Sequence, residues 1–450
     1  MSSNKISGNS AFLSLLKDEG VSHLFGNPGT TELPIMDALK EHPDINYFMS
    51  MQESLVVYMA EGYSRASGKL SACNVHVAPG LGNAMGAIYA AKFANTPIII
   101  TAGQQEQGHG LTEPLLYDDL VSMARPLVKW AIEVTRLEDL PRIVRRAAKI
   151  ALSHPMGPVF ISLPGDILNH ETGIEIGSIT RIDTRNRPSG EALASVAERI
   201  LRAENPVVIC GNEIVTSNAL IEAADFAITL GVPVYQQTVP YGSHFLSEKP
   251  CFMGALSRNQ KEVRAILEAF DLMIVLGADV LRMSVWDDVD PMPTALPIIQ
   301  IGLNDWEMGK NYPTEIAIGS DICETLRALT PVLKEMGGTA LDGLAKERLK
   351  ALLNKNWSAK RTKLIQRISN EGSGIPINPD WLMLQITEVL PSDTIIVNEG
   401  LTAARFFNDL WPYRERHDYH GLASGGIGWG MGAAVGVQLA HPRRPVCAII

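Results

Sequence analysis

Three side chains capable of hydrogen-bonding or proton-transfer chemistry each follow a short apolar run that predicts a β-strand. Glu53 follows INYFMSM, His76 lies at the end of ACNVHV, and Thr30 lies in the turn NPGTTE after HLFG. Ligands of parallel α/β sheets gather outside the carboxyl ends of the strands, so we expect each residue on the ligand side of its sheet. An imidazole there can transfer protons near neutral pH, and a hydroxyl at a helix start can hold a substrate carboxylate.

Each of the three residues also has a purely structural interpretation. Glu53 begins an amphipathic pattern, SLVVYMAEGYSRA, and can serve as a helix-capping or first-turn acid. Thr30 or Thr31 can be the N-cap of a helix that has Glu32 in its first turn. His76 can be a hydrogen-bonded core histidine. From the residues alone, both interpretations stay open for each position.

The elements that must position these residues alternate along the chain as strand, loop and helix. A helix over residues 10–20 precedes HLFG, and TPIIITAGQQ follows the helix predicted in PGLGNAMGAIYAAKFA. The strands are runs of β-branched residues without polar alternation, which is typical of a parallel sheet covered on both faces. We therefore predict an α/β fold whose parallel sheets are covered by helices.

Changes in composition divide the chain into three predicted domains, 1–170, 190–335 and 373–450. A linker poor in periodicity covers residues 170–190, and EGSGIPINP forms a second linker before residue 380. The second domain contains the predicted strands NPVVICG, PVYQQT, DLMIVLGAD and LPIIQIG. The third ends at Ile450 on the strand RPVCAII, so we expect a truncated third domain, because an α/β unit places its ligand contacts in the loop after a strand.

Composition favours an enzyme that handles small molecules. The chain has 450 residues, 46% hydrophobic and 20% charged, and a net charge of −10, which argues against nucleic-acid or anionic-membrane surfaces. Five widely spaced cysteines form no CxxC pair and predict neither a disulfide framework nor a zinc site. We find no signal peptide and no membrane-spanning stretch, and we expect a cytoplasmic protein.

Two glycine-rich segments invite comparison with dinucleotide-binding loops. They are PGLGNAMG, residues 79–86, and GGIGWGMG, residues 425–432. Neither has strict GxGxxG spacing, and neither is followed about 20 residues later by an acid at a strand end. We expect these glycines to allow close backbone approach to a flat ligand, or tight helix packing.

Several segments taken together resemble benzoylformate decarboxylase and the other members of the thiamine-diphosphate-dependent enzyme family, including acetolactate synthase-like relatives. They are FGNPGTTELP, MQESLVVYMAEGYSRASGK, NVHVAPGLGNAMGAIYAA, TPIIITAGQQ, RPLVKWA, GPVFISLP and GGIGWGMGAAVGVQLA, in register from about Phe25 to Ile450. The resemblance implies a pyrimidine-binding, a central and a diphosphate-binding domain. It further implies thiamine diphosphate and Mg²⁺ as cofactors, and a homodimer or homotetramer with the cofactor between subunits.

The resemblance also implies roles for individual residues. Glu53 matches the acid that hydrogen-bonds the aminopyrimidine ring and favours the tautomer able to remove the thiazolium proton. Thr30 falls near the substrate carboxylate, and His76 on an active-site histidine. Ile427 matches the residue that supports the bent cofactor, while Gly425 offers its carbonyl to the pyrimidine amino group. Thr402 falls among the diphosphate contacts.

Two departures from the family pattern bear on activity. Ser284 stands where the decarboxylase has a second catalytic histidine, which favours carboligation over aldehyde release. The metal-binding segment of the family is expected beyond Ile450, so no metal ligand is assigned. We predict a 2-oxo acid decarboxylase or carboligase, with an acetolactate synthase-like activity as the alternative. A nucleotide-binding (FAD or NAD) oxidoreductase and a catalytically silent paralogue are further alternatives.

Overall fold

The structure, a computed structural model, describes residues 5–450, which form two compact units. The first unit covers the chain up to residue 182 together with residues 397–399 and 422–450; the second covers residues 183–396 and 400–421. The predicted α/β class with parallel, helix-covered sheets is confirmed. The three domain boundaries stay a prediction, and residues 1–4 of the first predicted domain lie outside the described residues.

A six-stranded parallel sheet forms the centre of the first unit. Its strands lie in the spatial order Asn46–Met49, His23–Gly26, Ser71–Val75, Ile98–Gln104, Val159–Pro164 and Ala131–Glu133. Every residue of Ser71–Val75, Ile98–Gln104 and Val159–Pro164 is buried. Because a strand buried throughout must be covered on both faces, the apolar runs in the sequence correspond to the middle of this sheet.

The helices of the first unit alternate with its strands along most of the chain, and the short helices Leu120–Ala124 and Gly165–Asn169 were not predicted. The helices of this unit are Gly8–Asp18, Leu33–Ala38, Glu53–Ser67, Val77–Phe93, Leu120–Ala124, Leu140–Leu152, Gly165–Asn169 and Trp429–Ala440, with 3₁₀ turns at Thr30–Glu32, Leu39–Glu41, Gly110–Thr112, Arg125–Leu127 and Leu137–Asp139. A short antiparallel pair joins Ile6–Ser7 to Glu171–Thr172. Helix Gly8–Asp18 packs its apolar face, including Phe12 and Leu16, into the core on one side of the sheet.

The second unit contains another six-stranded parallel sheet. Its spatial order is Phe252–Ala255, Val234–Gln236, Pro206–Cys210, Leu272–Leu276, Ile298–Gly302 and Ile316–Gly319. Its helices are Gly190–Leu201, Glu213–Thr216, Leu220–Leu230, Gln260–Leu267, Ile322–Leu352, Trp357–Glu371, Pro379–Val389 and Phe407–Leu410, with a 3₁₀ turn at Asp305–Glu307. The sequence analysis identified the four central strands and omitted both edge strands.

The remaining strands belong to the last quarter of the chain. They are Ile395–Asn398, Tyr419–Gly421 and Val446–Ile449. Residue 335, the predicted end of the second domain, lies inside helix Ile322–Leu352, which is kinked at Gly338. No helix within residues 5–450 is both long enough and apolar enough to cross a lipid bilayer.

Candidate active site

The candidate site of the first unit is built from loops that leave neighbouring strands at their carboxyl ends. Strand His23–Gly26 leads to the 3₁₀ turn Thr30–Glu32, Ser71–Val75 leads to His76, and Gly103 lies near the end of Ile98–Gln104. These strands are adjacent and parallel, so their loops meet at one edge of the sheet. The fold thereby brings together residues that are up to 71 positions apart.

Glu32 is the most buried acid of this edge, and sequence reasoning did not identify it as a site residue. Its side chain is 1% exposed, and its carboxylate accepts hydrogen bonds from the backbone N–H of Gly29 at 2.9 Å and of Gly103 at 2.8 Å. The Thr31 hydroxyl donates a third at 2.9 Å. One carboxylate oxygen lies 2.8 Å from Nδ1 of His76. This side chain therefore connects all three loops.

The imidazole of His76 is partly buried between charged neighbours. The hydrogen bond to Glu32 is the largest cause that raises the pKa of His76; burial opposes it, and the charges of Glu32 and Glu53 add to it. The Thr31 hydroxyl also lies 3.1 Å from Nδ1. A raised pKa increases the fraction of His76 that carries a proton near neutral pH. This geometry is thus compatible with both interpretations of His76, as a hydrogen-bonded structural residue and as a residue that transfers protons.

Thr30 and Thr31 differ from the capping role considered for them. The N-cap of the 3₁₀ turn is Gly29, and the Glu32 side chain reaches back to the Gly29 N–H, so the threonine cap is wrong. Thr30 is exposed at the first position of the turn, while its neighbour Thr31 contacts His76. The hydroxyl in contact with His76 is therefore that of Thr31, which was not predicted as a site residue.

Glu53 is the first residue of helix Glu53–Ser67, immediately after Gln52. The capping role belongs to Gln52, whose side chain accepts a hydrogen bond from the Leu55 N–H at 3.1 Å. Oε2 of Glu53 accepts from the Asn83 side chain at 3.1 Å. Oε1 lies against Gly80, where a Cβ atom would stand 3.3 Å from it. The carboxylate is therefore oriented by Asn83 and lies against Gly80, where a side chain would crowd it.

The apolar residues before and after Glu53 in the sequence differ in their exposure. Val56 and Val57 are fully buried below it, but Met51 is 90% exposed and Met49 is exposed as well. The residues that lead to Glu53 thus include exposed methionines, whereas its helix continues with buried valines.

The glycine-rich segment before helix Trp429–Ala440 presents Ile427 to the surface. Gly425 and Gly428 have φ angles of +79° and +96°, in the left-handed region that favours glycine, and the Ile427 side chain between them is 72% exposed. The buried carboxylate of Glu399 accepts hydrogen bonds from the backbone N–H groups of Gly428, at 2.6 Å, and Gly430. Glu399, which the sequence analysis did not single out, thereby fixes the start of this helix.

Helices Glu53–Ser67 and Trp429–Ala440 pack directly on each other within the first unit. A Cβ atom at Gly436 would stand 2.1 Å from the Met59 carbonyl oxygen, so the two backbones are nearly in contact. The Trp429 indole N–H donates to Glu61 at 3.0 Å, and Arg65 forms an ion pair with the same carboxylate. Burial raises the pKa of Glu61. These contacts couple the helix that begins at Glu53 to the one that follows Ile427.

The other two residues of interest belong to the second unit. Thr402 is exposed in the loop after strand Ile395–Asn398, and Ser284 is exposed in the loop after strand Leu272–Leu276. Within residues 5–450 there is no group of three or more His, Cys, Asp or Glu side chains placed to hold a metal ion. The site residues with observed mutual contacts are thus those of the first unit.

Two family models match the chain. The model described as "Thiamine pyrophosphate enzyme, N-terminal TPP binding domain" matches residues 6–120, and "Thiamine pyrophosphate enzyme, central domain" matches residues 193–329. The first match contains Thr30, Glu32, Glu53 and His76. The part of the chain in which the candidate acids and the histidine converge is therefore the part that resembles a cofactor-binding domain.

Individual relatives match almost the whole chain. Benzoylformate decarboxylase of Pseudomonas aeruginosa is 31% identical over 98% of this chain and 80% of its own length. The acetolactate synthase large subunit of Haemophilus influenzae is 26% identical over 99% of this chain and 77% of its own. Among solved structures, the thiamine diphosphate-dependent 4-hydroxybenzoylformate decarboxylase of Rhodococcus jostii matches with a TM-score of 0.85 at 28% identity, over 98% of this chain and 80% of that one.

Proposed function

This chain belongs to the thiamine pyrophosphate enzyme family, and we propose from that premise that it acts on 2-oxo acids as a benzoylformate decarboxylase-like decarboxylase or carboligase. The observation that carries the proposal is the placement of the Glu53 carboxylate, which is held by Asn83 on one oxygen and lies against Gly80, a residue without a side chain, on the other. A carboxylate at the start of a helix, beside a histidine with a raised pKa, is suited to take part in proton transfer.

Residues of the first unit fit the pyrimidine end of thiamine diphosphate. The absence of a side chain at Gly80 leaves room at Glu53, and the left-handed glycines on either side expose the apolar Ile427. With the cofactor between subunits, Glu53 of one subunit would hold a proton against a pyrimidine ring nitrogen. Gly425 of the neighbouring subunit would accept from the amino group, and Ile427 of that neighbouring subunit would support the bent shape. Thiamine diphosphate, when bound, supplies a carbon nucleophile and an electron sink for decarboxylation.

The remaining residues would bind the substrate and supply protons. Thr30 is exposed at the carboxyl edge of the sheet and would donate its hydroxyl to the substrate carboxylate. His76, with its raised pKa, would carry the proton for the product-forming step. We include Thr402 as a diphosphate contact by resemblance, together with Mg²⁺, a homodimeric or homotetrameric assembly and a cytoplasmic location.

An acetolactate synthase-like carboligation is the second candidate. The similarity to the acetolactate synthase large subunit supports it, as does Ser284 at the position of a second catalytic histidine. A serine hydroxyl does not act as an acid or base near neutral pH, so the reactive product carbon would be protonated more slowly. Slower protonation gives a second carbonyl compound time to add.

The second unit gives little support to a nucleotide-binding oxidoreductase. The switch point of its sheet lies between Pro206–Cys210 and Leu272–Leu276, where ligands of such sheets bind. There a Cβ atom at Gly211 would stand 2.3 Å from the Ala278 Cα, so the two loops are in contact. The Glu213 carboxylate accepts from the N–H groups of Leu303 and Asn304, the kind of donor that a phosphate would need.

The test is to supply the protein with thiamine diphosphate, Mg²⁺ and either benzoylformate or pyruvate, and to follow carbon dioxide, aldehyde and acetolactate. Carbon dioxide and benzaldehyde from benzoylformate support the decarboxylase, and acetolactate from pyruvate supports the carboligase. A Ser284→His variant should raise the ratio of aldehyde to carboligation product. Cofactor binding without turnover of either acid would favour the silent paralogue, and a flavin absorbance band in the purified protein would favour the oxidoreductase.

A further inference from the structure

A buried carboxylate fixes the orientation and the proton of the candidate catalytic histidine. Glu32 bonds Nδ1 of His76 at 2.8 Å and is itself held by the backbone N–H groups of Gly29 and Gly103. Two rigid backbone donors from separate loops fix the carboxylate in place before any substrate arrives. The histidine that bonds to it is therefore oriented by the fold and not by a ligand.

The hydrogen bond determines which ring nitrogen can exchange protons. An ionised carboxylate can only accept, so Nδ1 must carry a hydrogen when it bonds to Glu32. In the neutral ring this leaves the lone pair on Nε2, and in the charged ring it leaves a transferable proton there. Proton exchange with a substrate would therefore take place at Nε2.

Two glycines show how closely this pair is packed. A Cβ atom at Gly103 would stand 2.3 Å from Oε1 of Glu32, and one at Gly29 would stand 2.3 Å from the His76 ring. Either methyl group would displace the carboxylate or the imidazole. The backbone at Gly103 thus lies in close contact with Glu32, and the backbone at Gly29 lies in close contact with His76.

We propose that Glu32 is a positioning residue that holds His76 with a proton on Nδ1 and makes Nε2 the proton-delivering atom. The assignment of a catalytic role to His76 rests on the function proposed above. The charged groups that act on His76 are Glu32, from the turn after strand His23–Gly26, and Glu53, from the start of its helix. Tyr47, from strand Asn46–Met49, lies near Glu32 and is hydrogen-bonded to Asn74.

The first experiment uses the unmodified protein. In ¹⁵N-histidine-labelled protein, the resonances of His76, assigned by their loss in His76→Gln, should show at high pH the neutral tautomer protonated on Nδ1. The tautomer is read in the unmodified protein, the variant serves only to assign the resonances, and no activity is required. A neutral ring protonated on Nε2 would overturn the proposal.

The second experiment removes the negative charge of Glu32 and keeps the size and shape of its side chain. Glu32→Gln should lower the pKa of His76 in the same titration, while Glu32→Asp, which keeps the charge, should restore it in part. Glu61→Gln removes a different buried carboxylate, bonded to Trp429, and should leave the His76 titration unchanged. Circular dichroism confirms that each variant is folded. An unshifted His76 titration in folded Glu32→Gln would refute the assignment.

Kinetics separate this proposal from the proposed function. If protonated His76 delivers a proton, the basic limb of the kcat/KM profile should move to lower pH in Glu32→Gln, with about a 100-fold loss at pH 8. A shifted His76 titration with an unmoved rate profile would overturn proton delivery by Nε2. Failure of the unmodified protein to turn over any 2-oxo acid would overturn the proposed function, while the tautomer and titration data would still decide the role of Glu32.

Discussion

A single methyl group added at Gly436 should loosen the contact between helices Glu53–Ser67 and Trp429–Ala440. The new Cβ atom would stand 2.1 Å from the carbonyl oxygen of Met59 and 2.5 Å from the backbone nitrogen of Tyr63. Both obstacles are backbone atoms inside a helix, which cannot rotate away as a side chain can. Ordinary contact begins at 3.4 Å, so the shortfall at Met59 is 3.4 − 2.1 = 1.3 Å. The helices must separate by a similar distance.

The expected cost follows from three contributions. Alanine is favoured over glycine inside a helix by about 1 kcal/mol, which opposes the effect. Overpacking of a tight interface costs about 1–3 kcal/mol. A separation near 1.3 Å would also break the 3.0 Å hydrogen bond from Trp429 to buried Glu61, which adds about 1–3 kcal/mol. The net destabilisation of Gly436→Ala is therefore about 3 kcal/mol.

Thermal unfolding followed by circular dichroism measures this effect. For a compact unit of this size, about 3 kcal/mol corresponds to a fall in Tm of roughly 6–12 °C. Gly343→Ala, in helix Ile322–Leu352, is the matched control: Gly343 is exposed and nothing lies within 4 Å of its added Cβ. At Gly343 the added methyl group meets no neighbour, and only the higher helix propensity of alanine affects stability. The unfolding temperature of Gly343→Ala should therefore stay the same or rise.

The same variant should weaken thiamine diphosphate binding, because the interface joins the helix that begins at Glu53 to the one that follows Ile427. The dissociation constant, measured by calorimetry, should rise in Gly436→Ala and stay unchanged in Gly343→Ala. An unfolding temperature of Gly436→Ala at or above that of the unmodified protein would show that the two helices do not approach each other this closely.

Three further predictions concern buried or site acids. Burial raises the pKa of Glu213 from 4.5 to about 7. Its contribution to the free energy of unfolding is therefore full below pH 4.5 and is lost as the pH rises through 7. Glu213→Gln should abolish this pH dependence, which amounts to up to about 3 kcal/mol in the free energy of unfolding and is seen in Tm measured from about pH 4.5 to 8. Trp429→Phe leaves the Glu61 carboxylate without its indole donor and should cost about 1–3 kcal/mol in urea unfolding, whereas the same change at exposed Trp306 should cost nothing measurable. Glu53→Gln should slow hydrogen–deuterium exchange at C2 of bound thiamine diphosphate by about 100-fold or more, and undiminished exchange would contradict the proposed role.

The parts of the site that were predicted from the sequence depend on local patterns. Glu53 was identified because an apolar strand changes to an amphipathic helix within a few residues around it, and the helix begins there. Glu32 was missed because its partners lie far away in sequence: His76 is 44 positions and Gly103 is 71 positions distant. The feature of the sequence that could have identified Glu32 was an acid shortly after a Pro-Gly turn at a strand end, and helix capping explains that pattern equally well.

The missed strands have a similar physical cause. Strands Phe252–Ala255 and Ile316–Gly319 form the two edges of the second sheet, and each contains a glycine. Residues of Ile316–Gly319 alternate between partly buried and exposed, because successive side chains of a strand point to opposite faces of the sheet. Such short runs, each interrupted by glycine or alanine, lack the continuous β-branched character by which the central strands were recognised.

The surroundings of the two acids near His76 indicate which of them is available to a ligand. Glu32 and Glu53 each lie against a glycine whose added Cβ would approach a carboxylate oxygen, at Gly103 and Gly80 respectively. The Gly103 N–H donates to Glu32, so that glycine supplies both space and a hydrogen bond. The Gly80 N–H donates to the His76 carbonyl at 2.9 Å, so it gives Glu53 space without a hydrogen bond. An oxygen without a backbone donor beside it is suited to bond to a ring brought in by a cofactor, so this contrast supports the positioning role proposed for Glu32 and the binding role proposed for Glu53.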